Sequence, residues 1–255
     1  FLAGDGHPVD EHFGGYVTYT NNFISGGQMG ALMELGADTV IVKGCVFANT
    51  SGVAIRPRSD ASMLRHVVIS DCTFDNIRGQ CVYFDLLTFE TLSITGCQFE
   101  NSGRGVEIRN LGTSAQSSKM DFSSVVIANN TFTNCTDWAI RVRANTTAYT
   151  IQNVSITGNS IYSAGGVGIS VAACNVVKIS DNLVHNSGGG DPTARVSAIG
   201  VTWASIAAIA NNTIHNFGRH GITIRTTTTA TVSGNQISGS AAYTSDGKSA
   251  FLVDT

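Results

Sequence analysis

Apolar and polar residues alternate in short segments that recur along the chain, and the clearest copy is residues 125–134, VVIANNTFTN. Apolar residues at every second position, such as Val125 and Ile127, predict a β-strand with one buried face. The repeated Asn or Cys position that follows, Asn130 in this copy, predicts a tight turn in which asparagine adopts the left-handed conformation. Phe132 predicts a second short strand. Eight less regular copies lie at residues 17–25, 40–49, 67–76, 92–101, 154–163, 177–186, 207–216 and 230–239.

A third apolar segment follows most copies, usually after a glycine or another small residue, and predicts a third strand per repeat. Corresponding positions of successive copies are 23 to 33 residues apart, a spacing typical of solenoids. The sequence therefore predicts an all-β parallel β-helix of about nine coils with three strands per coil. We expect residues 1–16 to form an N-terminal cap or linker and residues 17–255 to form the β-helix domain. The predicted third strands include residues 53–55, 82–84, 106–108, 140–142, 169–171, 199–201 and 222–224.

Composition and charge bear on the partners that the chain can have. Charged residues make up 13% of the 255 residues and the net charge is −3, which gives no support for a nucleic-acid partner. No apolar run is long enough to cross a membrane, so membrane insertion is not expected. The chain begins at Phe1 without a methionine and is expected to be a mature or partial chain.

The six cysteines do not follow a metal-binding or disulfide spacing. Cys45, Cys72 and Cys97 occupy the turn position at which later copies have asparagine, and we expect them to be buried as small apolar residues. No metal and no cofactor is expected.

The combined pattern, GIxV followed by VxIxxNxIxxN, resembles the right-handed parallel β-helix of the pectate-lyase-like superfamily from about Val17 to the C-terminus. Within that superfamily the chain is most similar to the β-helix domains of bacteriophage tailspikes and tail fibres. The resemblance implies a right-handed helix, a polysaccharide ligand in a groove over the third-strand sheet, and an extracellular or virion-surface location. It also implies a homotrimer and contacts with other virion tail proteins.

Insertions between copies indicate which face of the predicted β-helix binds a ligand. They lie next to the third strand, at residues 57–65, 86–91, 110–124, 144–153 and 187–197, whereas the turn with the first asparagine keeps its length. Insertions in repeat proteins gather on the binding face. We therefore expect the ligand on the third-strand sheet.

Outward positions of the predicted third strands form two columns, and charge is concentrated in coils two to four. Asp137 and Trp138 precede the strand of Arg141 and add an acid and a flat apolar ring suited to a sugar. One column is Ala54, Tyr83, Glu107, Arg141, Ser170, Gly200 and Thr223, and the other is Arg56, Asp85, Arg109, Arg143, Ala172, Thr202 and Arg225.

Two reactions fit this charged cluster. Glycoside hydrolysis needs two carboxyl groups, and the Cα atoms of Asp85 and Glu107 are expected about 8 Å apart on neighbouring strands. Polysaccharide β-elimination needs a base and a cation that neutralises the uronate carboxylate, for which the tyrosine and the arginines of the cluster are available. The predicted catalytic residues are Asp85, Glu107 and Arg141, and the predicted substrate-binding residues are Tyr83, Arg56, Arg109, Arg143, Asp137 and Trp138.

The predicted function is binding and glycosidic cleavage of a bacterial capsular or secreted polysaccharide. The structural alternative is a ladder of surface salt bridges, since opposite charges on neighbouring strands pair readily. The functional alternatives are a non-catalytic receptor-binding or structural tail-fibre module, and a secreted polysaccharide lyase or epimerase.

Three other groups of residues are weaker candidates for a functional site. Arg219-His220-Gly221 resembles short motifs of polygalacturonases and of alginate and chondroitin lyases, but the companion residues of those families are missing. His185 and His215 are expected on an outer surface away from the groove. His7, Asp10, Glu11 and His12 are expected to belong to the N-terminal cap rather than to a metal site.

Overall fold

The computed structural model describes residues 9–10, 15–26, 30–57, 64–85, 89–110, 124–144, 151–188, 197–240 and 249–254. At least half of each insertion predicted beside the third strand lies outside these residues, as do His7, Glu11 and His12. The described residues form 28 β-strands, numbered β1 to β28 along the chain, in three sheets.

The three sheets follow the order of the strands in each repeat. The first sheet consists of β2 (Tyr16–Thr20), β5 (Thr39–Lys43), β8 (His66–Ser70), β11 (Thr91–Thr95), β14 (Ser124–Ala128), β17 (Ile151–Thr157), β20 (Cys174–Ser180), β23 (Ile206–Ala210) and β26 (Thr229–Ser233). The second sheet consists of β3 (Phe23–Ser25), β6 (Val46–Thr50), β9 (Thr73–Ile77), β12 (Gln98–Glu100), β15 (Thr131–Cys135), β18 (Ser160–Ala164), β21 (Leu183–Ser187), β24 (Thr213–Phe217) and β27 (Gln236–Ser240). The third sheet consists of β1 (Val9–Asp10), β4 (Ala31–Leu35), β7 (Val53–Pro57), β10 (Gln80–Asp85), β13 (Arg104–Asn110), β16 (Ile140–Ala144), β19 (Ile169–Ala172), β22 (Ser197–Thr202), β25 (His220–Arg225) and β28 (Ser249–Asp254).

Each coil contributes one strand to each sheet, and strands of successive coils pair in parallel, as β10 does with β13 and β11 with β14. The predicted all-β, right-handed parallel β-helix with three strands per coil is confirmed. Successive coils are stacked about 4.8 Å apart, as neighbouring strands of a sheet are. β1 lies within the predicted N-terminal cap and pairs with β4.

The core consists of columns of like side chains that run along the solenoid. In the second sheet, Phe47, Phe74, Phe99 and Phe132 are fully buried, and their stacked rings have centroids 5.0, 4.8 and 4.5 Å apart. Because each ring packs on the ring of the next coil, aromatic contacts add to the burial of apolar area. Burial was predicted for the three cysteines of the turn column, Cys45, Cys72 and Cys97, and is confirmed. The other three cysteines, Cys81, Cys135 and Cys174, are also buried, and all six are free thiols.

The first asparagine column forms a buried hydrogen-bonded ladder between coils. Asn130 Nδ2 donates to Asn159 Oδ1 at 2.9 Å, and Asn159 Nδ2 donates to Asn182 Oδ1 at 3.0 Å. The left-handed residue of this turn is the one before the ladder, for example Asn129 with a φ of 56°, which corrects the sequence-based expectation. The ladder residue instead directs its side-chain amide into the core, where the amide forms hydrogen bonds with the asparagine of the next coil.

The pairing of β7 with β10 differs from the predicted alignment by two residues. Val82 pairs with Ile55, so Arg56 lies next to Tyr83, two residues from its predicted partner. Ala54, predicted to point outward, is fully buried. A shift of two residues preserves the alternation of inward and outward side chains, so the hydrophobic pattern cannot distinguish the two registers.

Three strands of the third sheet were not predicted: β1, β4 and β28. β4 is an almost uniformly buried segment without the alternation that identifies a half-buried strand. It pairs with β7 and sets Glu34 opposite Arg56. The third sheet therefore presents an additional carboxylate beside the predicted site.

Candidate functional site

Three neighbouring strands of the third sheet, β10, β13 and β16, bring most of the predicted site residues together. Tyr83 pairs with Glu107, and Glu107 pairs with Arg141. Outward side chains of parallel strands in register form rows across the sheet. A second row lies two residues further along and consists of Asp85, Arg109 and Arg143.

Glu107 is the central residue of this cluster, and its side chain is only 1% exposed. Its Oε2 accepts hydrogen bonds from Gln80 Nε2 and Arg104 Nη1, both at 3.1 Å. Its Oε1 lies 3.4 Å from Arg141 Nη1 and 3.8 Å from Arg109 Nη1. The burial of this carboxylate is therefore compensated by three guanidinium groups and an amide. We call Arg104, Glu107, Arg109, Arg141 and Arg143 the arginine patch.

Trp138 holds two arginines of the patch in place. The guanidinium carbon of Arg141 lies 3.9 Å from the ring centroid of Trp138, and that of Arg104 lies 4.6 Å from it. Arg104 Nε also donates to Asp137 Oδ2 at 2.9 Å. The indole predicted as a sugar platform is thus covered by cations in this structure, and it positions charge.

Tyr83 and Asp85 form a second pair at the edge of the patch. The Tyr83 hydroxyl donates to Asp85 Oδ2 at 2.7 Å, and Arg109 lies over the tyrosine ring with its guanidinium carbon 5.9 Å from the centroid. Burial, followed by the hydrogen bond to Asp85, raises the pKa of Tyr83 to about 12. Asp85 Oδ1 is buried and has no hydrogen-bond partner among the described residues.

Arg143 has no carboxylate partner in the described part of the chain, and it lies directly opposite Arg109 on the neighbouring strand. The side chain is half-buried. Burial is the main cause that lowers the pKa of Arg141; Glu107 opposes the shift, and the positive charges of Arg143, Arg109 and Arg104 add to it. The patch therefore carries an excess of positive charge at its outer edge.

The charged surface continues across β7 as an ion pair. Arg56 Nε donates to Glu34 Oε1 at 2.6 Å, and Arg56 lies next to Tyr83 in the corrected register. This pair is internally neutral, so it extends the surface without adding net charge.

A cleft of about 310 Å³ opens beside the patch, at the corner where the second sheet leads into the third. We call it the corner cleft. Arg104 belongs to both features, because it lines the cleft and contacts Glu107. The cleft is lined by Arg78, Gly79, Gln80, Arg104, Thr136 and Asp137, together with Gly103.

The sequence-based prediction omitted several residues of this region: Glu34, Arg78, Gln80 and Arg104. All except Glu34 lie in the corner turns or at the first position of a third strand, where the period-two pattern does not assign a face. The only available signal was their position next to the glycines at residues 79 and 103 that introduce the third strand. The catalytic and binding roles proposed for the nine predicted site residues stay predictions.

The weaker candidates lie away from the patch. His220 is the buried first residue of β25, and burial lowers its pKa. His185 and His215 are neighbours on the second sheet, with ring centroids 6.4 Å apart. No group of three or more His, Cys, Asp or Glu residues with metal-site geometry occurs in the described ranges. Within those same ranges, no helix is long and apolar enough to span a membrane.

Comparison with known proteins supports the fold. Residues 3–122, just under half of the chain, match a family model described as the right handed beta helix region. No curated protein and no solved structure gives a significant match to the chain. The family match and the three-sheet solenoid agree on a right-handed β-helix, a fold that is consistent with proteins that bind or degrade polysaccharides.

Proposed function

We propose that this β-helix binds an acidic polysaccharide across β10, β13 and β16, with the arginine patch as the main contact. The observation that carries the proposal is the pair of arginines Arg109 and Arg143, directly opposed on neighbouring strands. Like charges in directly opposed positions are destabilising. A bound anionic ligand would remove that repulsion.

Arginine suits this ligand class better than lysine. Its planar guanidinium can form two parallel hydrogen bonds to a carboxylate, and it is more weakly hydrated. Trp138 and Asp137 hold Arg104 and Arg141 in defined positions, so less side-chain freedom is lost on binding. Arg109 and Arg143 are adjacent along the solenoid axis, an arrangement that suits a polymer with repeated carboxylates.

A ladder of structural salt bridges explains part of the cluster. It accounts for the pair Arg56 and Glu34, and for the three arginines around Glu107. It does not account for Arg143, which has no acidic partner in the described residues and adds repulsion to Arg109. Binding of an anion therefore explains more of the geometry.

Cleavage of the bound polysaccharide is the second candidate, with Asp85, Glu107 and Arg141 as the catalytic residues. The observation that favours it is Asp85 Oδ1, which is buried and has no hydrogen-bond partner among the described residues. The pKa of Tyr83, raised to about 12, makes its hydroxyl a weaker proton donor than an ordinary tyrosine, so Tyr83 does not serve as the acid. A hydrolase needs two accessible carboxyl groups. Both oxygens of Glu107 are occupied and its side chain is 1% exposed, so the geometry favours binding over hydrolysis.

The biological setting that we propose is recognition of a bacterial capsular or secreted polysaccharide by a tailspike-like homotrimer outside the cell or on a virion. The resemblance to tailspike and tail-fibre β-helices supports this part. The two alternative functions are a non-catalytic receptor-binding or fibre module and a secreted lyase or epimerase. Sedimentation equilibrium distinguishes a trimer from a monomer of 26.7 kDa.

The central test compares polygalacturonate with the same polymer after reduction of its carboxyl groups. We expect calorimetric binding of the acidic polymer only, and about tenfold weaker binding by Arg143→Ala, the cost of losing one charge-assisted hydrogen bond. Lys178→Ala is the matched control, because it removes one exposed positive charge from the first sheet.

Equal affinity for both polymers, or an equal effect of both variants, would contradict binding at the patch. New reducing ends together with the ultraviolet absorbance of an unsaturated product would identify a lyase, and reducing ends alone a hydrolase. Unchanged cleavage in Asp85→Asn would exclude Asp85 as a catalytic residue.

A further inference from the structure

We propose that the corner cleft binds a single hexuronate unit, with Arg78 on its carboxylate and Asp137 on its hydroxyl groups. This inference deepens the proposed function and rests on it. It assigns a role to two residues, Arg78 and Arg104, that no pattern in the sequence singled out. It also defines the substrate class as a polymer that presents a uronate unit beside the sheet.

The cleft is formed by three successive corner turns stacked on one another. Arg104 N donates to Gly79 O, and Asp137 N donates to Gly103 O, each at 2.9 Å. A Cβ atom at Gly103 would lie 2.1 Å from the backbone oxygen of Arg78, so a side chain is excluded there. The backbone of the cleft is therefore fixed by hydrogen bonds between coils, and no side chain at residue 103 occupies the cleft.

The charged groups of the cleft differ in how far they are already paired. Arg104 bridges Asp137 Oδ2 at 2.9 Å and Glu107 Oε2 at 3.1 Å. Arg78 is exposed at the rim and has no side-chain partner among the described residues. Arg78 is thus the available cation of the cleft, whereas Arg104 is a positioning residue that fixes the acid.

This combination fits a hexuronate better than a simple anion. Sulfate would meet the carboxylate of Asp137 without a hydrogen to donate. A sugar acid offers a carboxylate for Arg78 and hydroxyl donors for Asp137. A volume of about 310 Å³ is at the lower end of ligand clefts, which suits one sugar ring rather than a large cofactor.

The cleft and the patch are linked through Arg104, which contacts Glu107 in the patch and Asp137 in the cleft. A polymer lying along the arginine patch would place a branch or neighbouring unit in the cleft. The two surfaces then recognise two different carboxylates of one chain.

The test uses glucuronate as the probe and glucose as its uncharged counterpart, with amide NMR of the whole chain. Glucuronate is expected to shift the amides of Gly79 and Gly103, and Arg78→Ala to weaken this binding at least tenfold. Arg78→Lys should recover part of it, because a positive charge remains. The matched control is Arg219→Ala, which removes an arginine from the same corner in a distant coil.

Different outcomes separate this inference from the proposed function. Shifts confined to the strand of Arg143, with Gly79 and Gly103 unaffected, would overturn the cleft and leave binding at the patch intact. Equal shifts with glucose would overturn the carboxylate contact. Full affinity of Arg78→Ala for glucuronate would do the same. Absence of binding by both glucuronate and polygalacturonate would overturn both proposals.

Discussion

Arg141 lies over the indole ring of Trp138, with its guanidinium carbon 3.9 Å from the ring centroid. The ring provides a negative face for a guanidinium that is partly removed from water. Burial lowers the pKa of Arg141, so the contact offsets part of the cost of placing this charge at the third sheet. Trp138 therefore determines where the positive charge of the patch is located.

Trp138→Leu is expected to destabilise the protein by about 1 kcal/mol through loss of the cation–π contacts, and to weaken binding of polygalacturonate. Urea unfolding and calorimetry measure the two effects. Trp203→Leu is the control, because Trp203 is 53% exposed and follows β22, away from the patch. If both variants bind and unfold alike, Trp138 does not position the arginines.

Ligand binding at the patch is expected to change the fluorescence of Trp138. The chain contains two tryptophans, so Trp203→Phe leaves Trp138 as the only indole fluorophore. A carboxylate that attracts Arg104 or Arg141 would alter the charge next to the ring. Titration of Trp203→Phe with polygalacturonate should give a saturable change that weakens as salt is added, since exposed ionic contacts are screened. A spectrum unaffected by saturating polymer would contradict binding at the patch.

Glu107→Gln is expected to lower the free energy of unfolding by about 3 kcal/mol, because three arginines would lose the buried carboxylate that compensates them. Glutamine has nearly the same size as glutamate, so the change in the free energy of unfolding measures the loss of the negative charge. Glu100→Gln, on the exposed face of the second sheet, is the control. Equal urea midpoints for the two variants would show that Glu107 is not the electrostatic centre of the patch.

The fold could be predicted because every coil repeats the same local chemistry. Period-two alternation identifies strands with one buried face, and the constant turn fixes the interval between the first two strands. β4 lacks this alternation because residues on both of its faces are buried, so the pattern did not reveal it. The register of β7 was not predictable because a shift of two residues satisfies the same alternation.

The candidate site was predictable only where it lies on regular strands. Glu107, Arg109, Arg141 and Arg143 follow from strand alternation alone. Arg104 does not, because it begins its strand at the corner, and its contact with Asp137 depends on how neighbouring coils stack. The pairing of cations with acids therefore follows only from the three-dimensional structure, whereas the location of the charged surface follows from the sequence.

Asn182→Ala tests the internal ladder of the solenoid. Asn182 Oδ1 accepts hydrogen bonds from the backbone and side-chain amides of Asn159, at 2.9 and 3.0 Å. Its loss leaves buried donors without an acceptor, which is expected to cost about 2 kcal/mol or more. Lys178→Ala, on the outer face of β20, should leave the free energy of unfolding nearly unchanged. A similar stability for both variants would show that the ladder adds little to the stacking of coils.

Tyr83 is expected to make stability fall at alkaline pH. Its pKa is raised from an ordinary value of about 10 to about 12 by burial and by the hydrogen bond to Asp85, so the folded state holds the proton more tightly than the unfolded state. The stabilisation is complete below about pH 10 and is lost as the pH rises towards 12. Urea unfolding across this window should give a shallower pH dependence for Tyr83→Phe than for the unmodified chain. Tyr162→Phe, which changes a tyrosine on the second sheet that is 40% exposed, should keep the original slope. If Tyr83→Phe also keeps it, the hydrogen bond between Tyr83 and Asp85 does not hold the proton.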